Sequence, residues 1–199
     1  MSTQNTELID IYDQNRRPTG QVVPRKGTFL KEGQFMLYVL ALIQNADGRF
    51  LITQRALNKK WAAGWWEVTG GGASAGETSA QAITREVREE VGLDVSAQPL
   101  VPVYTYQNVD LARGDNYFVD IYHFHLDFSL ADVSLQQSEA IAEQLATLDQ
   151  IARLDVEGHF LHYSRILQAL EAESVAAAKT DPLASAALME NLRSLRHDD

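Results

Sequence analysis

Residues 71–93 constrain the chain more than any other stretch. They read Gly71-Gly72-Ala73-Ser74-Ala75-Gly76-Glu77, then Thr78 to Val91, then Gly92-Leu93. A glycine-rich loop therefore runs into a helix with both ends specified. Thr78 fits an N-cap with Gln81 at N3, a capping box, and Gly92 stands where a left-handed C′ residue ends a helix. At ~100° per residue, with Glu86 at zero, Glu90 falls near +40° and Glu89 near −60°. On the same ~100° count Ile83, Val87, Ala80 and Val91 occupy an apolar stripe between about +60° and +140°. Three carboxylates thus share one arc beside the core-facing stripe.

Placing three acids together costs helix stability, because like charges at this spacing repel. An oxygen-liganding cation offsets that cost: Mg²⁺ takes one or two carboxylates plus the phosphates of a substrate. A solvated acidic face is the plainer alternative.

The whole stretch resembles the signature of the Nudix hydrolases. Its fixed positions are matched by Gly71, Glu77, Arg85, Glu86, Val87, Glu89, Glu90, Gly92 and Leu93. The resemblance implies an α/β fold, an α/β/α sandwich around a mixed sheet spanning about residues 34–170. It implies Glu86, Glu89, Glu90 and the carbonyl of Gly70 as ligands of Mg²⁺, for which Mn²⁺ often substitutes. Arg85 is similar to the family arginine that pairs with the box acids, and Glu77 to the acid that braces the loop–helix junction or joins the metal shell. In that family the general base is a box glutamate, here Glu89 as the expected catalytic acid–base group, or an acid from a loop after the sheet. Glu139 stands in that neighbourhood, with Asp115 and Asp120 as runners-up.

The expected partner is then a small-molecule diphosphate, hydrolysed at a phosphoanhydride bond. Charge agrees with an anion held through metal. The chain carries a net charge of −10, which argues against a nucleic-acid or anionic-membrane partner. Residues 1–60 sum to +4 and residues 61–199 to −14. An acidic half that meets an anion needs a basic lip. Arg55, Lys59 and Lys60 are the first candidates for substrate contact, with Arg16, Arg17, Arg25 and Lys26 behind them. Tyr106 is a further candidate, with Tyr104 and Arg113, beside the polar loop of residues 108–115.

Three flanking regions complete the organisation. Residues 1–33 are expected to be an N-terminal extension: Leu8–Asp13 alternates, Asn15–Gly20 is a turn cluster, and Gln21–Val23 returns as a hairpin. Residues 34–173 form the catalytic domain. Within it, strands are expected at Met36–Gln44, Arg49–Gln54, Pro102–Gln107, Asn116–Leu126 and Ala142–Ala146. Helices are expected at Leu148–Leu154, capped by Thr147, and at Gly158–Ala172. Residues 174–199 hold a linker, Ser174–Thr180, and an extra C-terminal helix, Asp181–Arg196, free to pack on the domain or on a second copy in a homodimer. Trp61, Trp65 and Trp66 fit core and rim packing better than a ligand platform. His123 and His125 share one strand face, two apart, which can make a metal pair; with no third ligand in view they read as packing or surface histidines.

Asp10-x-Tyr12-Asp13 with Thr19-Gly20 also resembles the Nudix branch of isopentenyl-diphosphate isomerases. Those enzymes are similar but place a catalytic cysteine where this chain has Gly70, and the chain has no cysteine at all. Their metal-binding histidines ahead of the Met36 strand and their second glutamate are unmatched too. Hydrolysis is thus the favoured reaction, with isomerisation and ligand binding without catalysis as the rivals. The absence of an 18-residue apolar run or a signal-like N-terminus makes a cytoplasmic protein the default expectation.

Overall fold

The computed structural model describes residues 7–178, 189–190 and 192–195. Among these, the strands form a two-stranded hairpin and a seven-stranded mixed sheet. Strands β1 (Leu8–Tyr12) and β2 (Pro18–Pro24) are the expected hairpin. The turn is tighter than its polar composition suggested. Asp13 N donates to Arg17 O at 2.9 Å, and Thr19 and Gly20 already belong to β2.

The central strand is β3 (Met36–Gln44), whose apolar run is buried on both faces. Leu40 and Leu42 enter one core, while Leu37, Val39, Ala41 and Ile43 enter the other. Strand β4 (Phe50–Arg55) meets β3 only at the Gln44–Phe50 pair, after which the two part. Into that fork come β5 (Trp66–Glu67), paired with β4, and β6 (Thr69–Gly72), which runs antiparallel to β3 from Tyr38 to Ala41. On the other side of β3, β8 (Tyr117–His125) is parallel along its full length, and β7 (Tyr104–Asn108) closes that edge antiparallel. Strand β9 (Ala140–Ala146) pairs with β4. It starts two residues earlier than its alternation suggested, which puts Glu139 at the very edge of the sheet.

Helix α1 (Ser79–Val91) covers one face through Ala82, Ile83, Val87 and Val91. Burying Ile83 and Val87 completely contributes roughly 1.5–3 kcal/mol each. Helices α2 (Leu148–Val156) and α3 (Tyr163–Ala178) cover the other face through Ile151, Ile166, Leu167 and Leu170. The α/β/α sandwich with a mixed sheet is therefore the architecture. Helix α3 starts later than expected because residues 159–161 add to the sheet edge instead. Trp66 N donates to His159 O at 2.8 Å and Leu161 N to Trp66 O at 2.9 Å. It also continues through Ser174, where a linker was expected. Asp181 and Pro182, the expected start of the last helix, lie outside the described residues. Leu192 and Leu195 pack into the core under α3. No helix of the described residues is long and apolar enough to cross a membrane.

Asp120, weighed as a catalytic base, is instead a buried anchor at 1% exposure. It accepts from Arg16 Nη1 at 2.8 Å, from Thr105 Oγ1 at 2.6 Å, and from Ser79 Oγ at the start of α1. Arg16, a candidate for the basic lip, is thereby committed to joining the hairpin to β8. Removing the carboxylate strands three donors, so Asp120→Ala should cost about 2–3 kcal/mol in a denaturant melt. Asp120→Asn should keep turnover below its melting temperature; abolished turnover in a folded variant would restore the catalytic role.

Candidate active site

The acidic arc of α1 faces the glycine strand across a narrow gap. A Cβ on Gly71 would stand 2.5 Å from Glu86 Oε1, and one on Gly70 would stand 2.2 Å from Val39 O. Only glycine lets β6 lie flat between β3 and the carboxylates. The helix itself forms as its ends dictate: Thr78 and Gln81 make the reciprocal capping box, and Gly92 adopts φ 74° with its N–H on Arg88 O.

Arg85 organises the cluster. Its Nε and Nη2 grip Glu77 at 2.7 and 2.9 Å, Nη1 reaches Glu86 at 2.8 Å and Glu89 at 3.3 Å, and Nη2 also donates to Gly72 O at 3.1 Å. One guanidinium thus joins three acids to the loop backbone. The Arg85 hydrogen bonds hold the Glu77 carboxyl below its ordinary range. Glu77 also accepts from Ser74 N at 2.8 Å, so it braces the loop–helix junction.

Glu90 is the acid that Arg85 does not reach. Its partners are neutral: Thr69 Oγ1, and Gly70 N at 3.2 Å. Burial, with Glu86 nearby, pushes its carboxyl up to about 7 despite those two donors. Glu86 is likewise raised, chiefly by burial, with Arg85 opposing the shift. Glu89 is the exposed member, its side chain 54% accessible.

These residues line a cleft of about 690 Å³. Of the expected basic lip, Arg55, Lys59 and Arg25 line it, whereas Lys60, Arg17 and Lys26 are exposed and do not. Lys59 pairs with Glu139 across the mouth. Arg55 Nη1 holds Glu67 at 2.7 and 2.9 Å. Arg25 donates to Tyr38 Oη at 2.6 Å and to Glu7 at 2.8 Å. Six carboxylates line the cleft against four cationic side chains, and the imbalance leaves room for added positive charge.

Glu67 and His162 are among the lining residues that the sequence does not single out. Glu67 is a buried acid raised by desolvation, although Arg55 and Lys59 pull it down. Strand alternation about the buried Val68 is the signal that could have found it. His162, at φ 64°, turns the chain into α3, and its backbone carbonyl accepts from Arg165 and Ile166 at 3.0 Å. Burial holds its imidazole below the ordinary range. No local motif marks it.

Tyr106 and Asp115 do not join the acids. They line a second cavity of about 690 Å³, with Arg113 and Tyr117. The two cavities share Tyr38, Leu40, Trp61 and His162, so they meet at one wall. Of the three tryptophans, Trp61 stands at this junction, while Trp66 packs on the core.

The NUDIX domain family matches residues 34–165. The chain belongs to the NUDIX family. An uncharacterised Nudix hydrolase of Listeria monocytogenes serovar 1/2a is 29% identical over 158 residues, covering 79% of this chain and 89% of that one. An isopentenyl-diphosphate Delta-isomerase of Corynebacterium glutamicum is 33% identical over 113 residues, 54% of this chain and 59% of that one. Among solved structures, a Deinococcus radiodurans protein shares the fold with a TM-score of 0.63 at 20% identity, covering 77% and 91% of the two chains. A bifunctional NMN adenylyltransferase/ADP ribose pyrophosphatase of Francisella tularensis, complexed with AMP and Mn ion, does so with a TM-score of 0.56 at 22% identity, covering 70% of this chain and 42% of that one. The Nudix box of the family is thus the loop and helix that build the acidic wall of the cleft.

The raised Glu90 carboxyl has a consequence for stability. In the unfolded chain it releases its proton near 4.5, in the fold only near 7. The folded state therefore loses stability as pH climbs from about 4.5 to about 7, with the loss complete above that window. Glu86 and Glu67 shift in the same direction. In metal-free protein the melting temperature should fall across this window, and Glu90→Gln should shrink the fall. An identical slope in the variant would contradict the assignment.

Proposed function

We propose that this Nudix chain is a Mg²⁺-dependent hydrolase that cleaves a phosphoanhydride bond in an organic diphosphate. The observation that carries the reading is Glu90: a carboxylate held against β6 with neutral partners, beside Glu86 and Glu89, in a cleft short of positive charge. Such a donor set of hard oxygens suits Mg²⁺, and Mn²⁺ as its substitute. Glu86, Glu89 and Glu90, with the backbone of Gly70, would hold the ion. When bound, Mg²⁺ neutralises diphosphate oxygens and lowers the pKa of an attacking water.

The chain's own residues supply the rest. Arg85 fixes Glu86 and Glu89 against mutual repulsion, and its ties to Glu77 and Gly72 O keep that arrangement rigid. Lys59, Arg55 and Arg25, each paired with a glutamate, are the cationic groups that a phosphate entering the cleft would meet. Water attacks phosphorus, the bond to the bridging oxygen breaks, and the proton passes to a carboxylate. Glu89 and Glu139, the latter just before β9, both line the cleft and are the two groups we propose to accept it. The aromatic cavity beyond Tyr38 and Trp61 takes the organic part of the substrate, with Tyr106 on its wall. The Listeria relatives that carry the Nudix hydrolase name support the same reaction class.

Phosphate release from a panel of nucleoside, sugar-nucleotide, coenzyme and prenyl diphosphates tests the reading. Mg²⁺-dependent release from at least one member is expected. A rearranged prenyl diphosphate would establish the isomerase instead, and binding without turnover would establish a sensor. At saturating Mg²⁺, Glu89→Gln or Glu90→Gln should cost about several hundredfold in turnover with the fold intact. Glu139→Gln should cost less if it only orients water. Full activity in the two box variants would remove the proposal.

A further inference from the structure

A second cluster of ligand atoms lies outside the acidic cleft. His123 and His125 are two apart on β8, and the pleat sets both imidazoles on one face, their ring centroids 4.2 Å apart. Helix α3 crosses that face and brings Glu173 to them, its Oε2 2.6 Å from His123 Nδ1. One donor atom from each of the three residues lies within 4.8 Å of the other two. This is the third ligand that the sequence left out of view, fifty residues along the chain from His123.

His123 itself is held firmly in place. Its side chain is only 5% exposed and stacks on Phe50 at 5.8 Å. Its Nε2 is buried and meets no hydrogen-bond partner. A buried polar nitrogen left bare is costly, so the pairing with Glu173 accounts for only one side of this ring. A cation shared with Glu173 lies on the Nδ1 side of the ring, so it is the convergence of the two imidazoles and the carboxylate, and not the bare Nε2, that argues for a site.

We infer that His123, His125 and Glu173 form a site for a borderline transition-metal ion, with Zn²⁺ as its natural occupant. Two imidazoles and one carboxylate suit Zn²⁺ and disfavour Mg²⁺, so the site is chemically separate from the box carboxylates. It is separate in space as well. None of the three residues lines the acidic cleft, and His125 instead borders a shallow depression beside the turn of residues 45–48. Donors at about 2.0–2.1 Å from a tetrahedral Zn²⁺ stand roughly 3.4 Å apart. The widest gap here therefore needs to close by little more than an ångström, and His125, exposed at the surface, has the rotamer freedom to close it. The bound ion would tie α3 to the sheet, leaving a fourth position for water. The inference stands whether or not the chain hydrolyses diphosphates.

The test uses tag-free, chelator-stripped full chain, titrated with Zn²⁺ against a chromophoric competitor in excess Mg²⁺. One Zn²⁺ per chain is expected, with a Zn²⁺-dependent rise in melting temperature. His125→Ala, at an exposed position that spares the fold, should weaken Zn²⁺ binding by about a hundredfold or more and remove the melting shift. Glu173→Gln should weaken it also, and Glu90→Gln, in the other cluster, should leave it unchanged. The inference is overturned if the wild type takes up no Zn²⁺ under excess Mg²⁺. It is equally overturned if His125→Ala, shown folded by circular dichroism, binds as the wild type does, or if Glu90→Gln abolishes uptake.

Discussion

The structure depends on crowding carboxylates against a strand thin enough to admit them. Glu86 sits where a side chain on Gly71 would be, and Glu90 reaches across to Thr69 and the Gly70 amide. That closeness is what desolvates both acids and lifts their carboxyls. Arg85 makes the arrangement tolerable by sharing one guanidinium among Glu77, Glu86 and Glu89. It does not also reach Glu90, whose partners are the neutral Thr69 hydroxyl and Gly70 amide. The sharing that stabilises three of the acids and the isolation of the fourth are two sides of one geometry.

The rest of the fold serves to hold that wall open to solvent on one side only. Because β3 and β4 part after a single pair, β6 can dock on β3 while β5 and β9 line the other arm of the fork. The acids of α1 and the charged ends of β4, β5 and β9 thereby converge on one cleft, although they lie far apart in sequence. The aromatic cavity next to it is bounded by the polar loop after β7. The N-terminal hairpin contributes through Arg25 at the rim and through Arg16, whose grip on Asp120 fixes the hairpin to the sheet.

What could be read from the sequence follows the range of the interactions involved. The box helix was legible because its caps, its apolar stripe and its acids all act within one or two turns. The bounds of β3 were legible because an apolar run buried on both faces has no competing reading. The start of α3 was not. Residues 159–161 have the composition of a helix, but their backbone is claimed by Trp66, almost a hundred positions earlier. Asp120 read as a free acid because Arg16, Ser79 and Thr105, which consume it, come from three other segments. His162 and Glu173 acquire meaning only from neighbours distant in sequence, and no local pattern could announce them, whereas alternation about Val68 left a faint local signal for Glu67.

The proposed function requires Glu86, Glu89 and Glu90 to act as one cation site. An anomalous difference map from a crystal soaked in Mn²⁺ addresses it most directly. The account predicts a peak between these three side chains, at carboxylate-ligand distance, within the cleft shared with Lys59 and Arg55. A map that is featureless there at saturating Mn²⁺, with the three carboxylates turned apart, would contradict it.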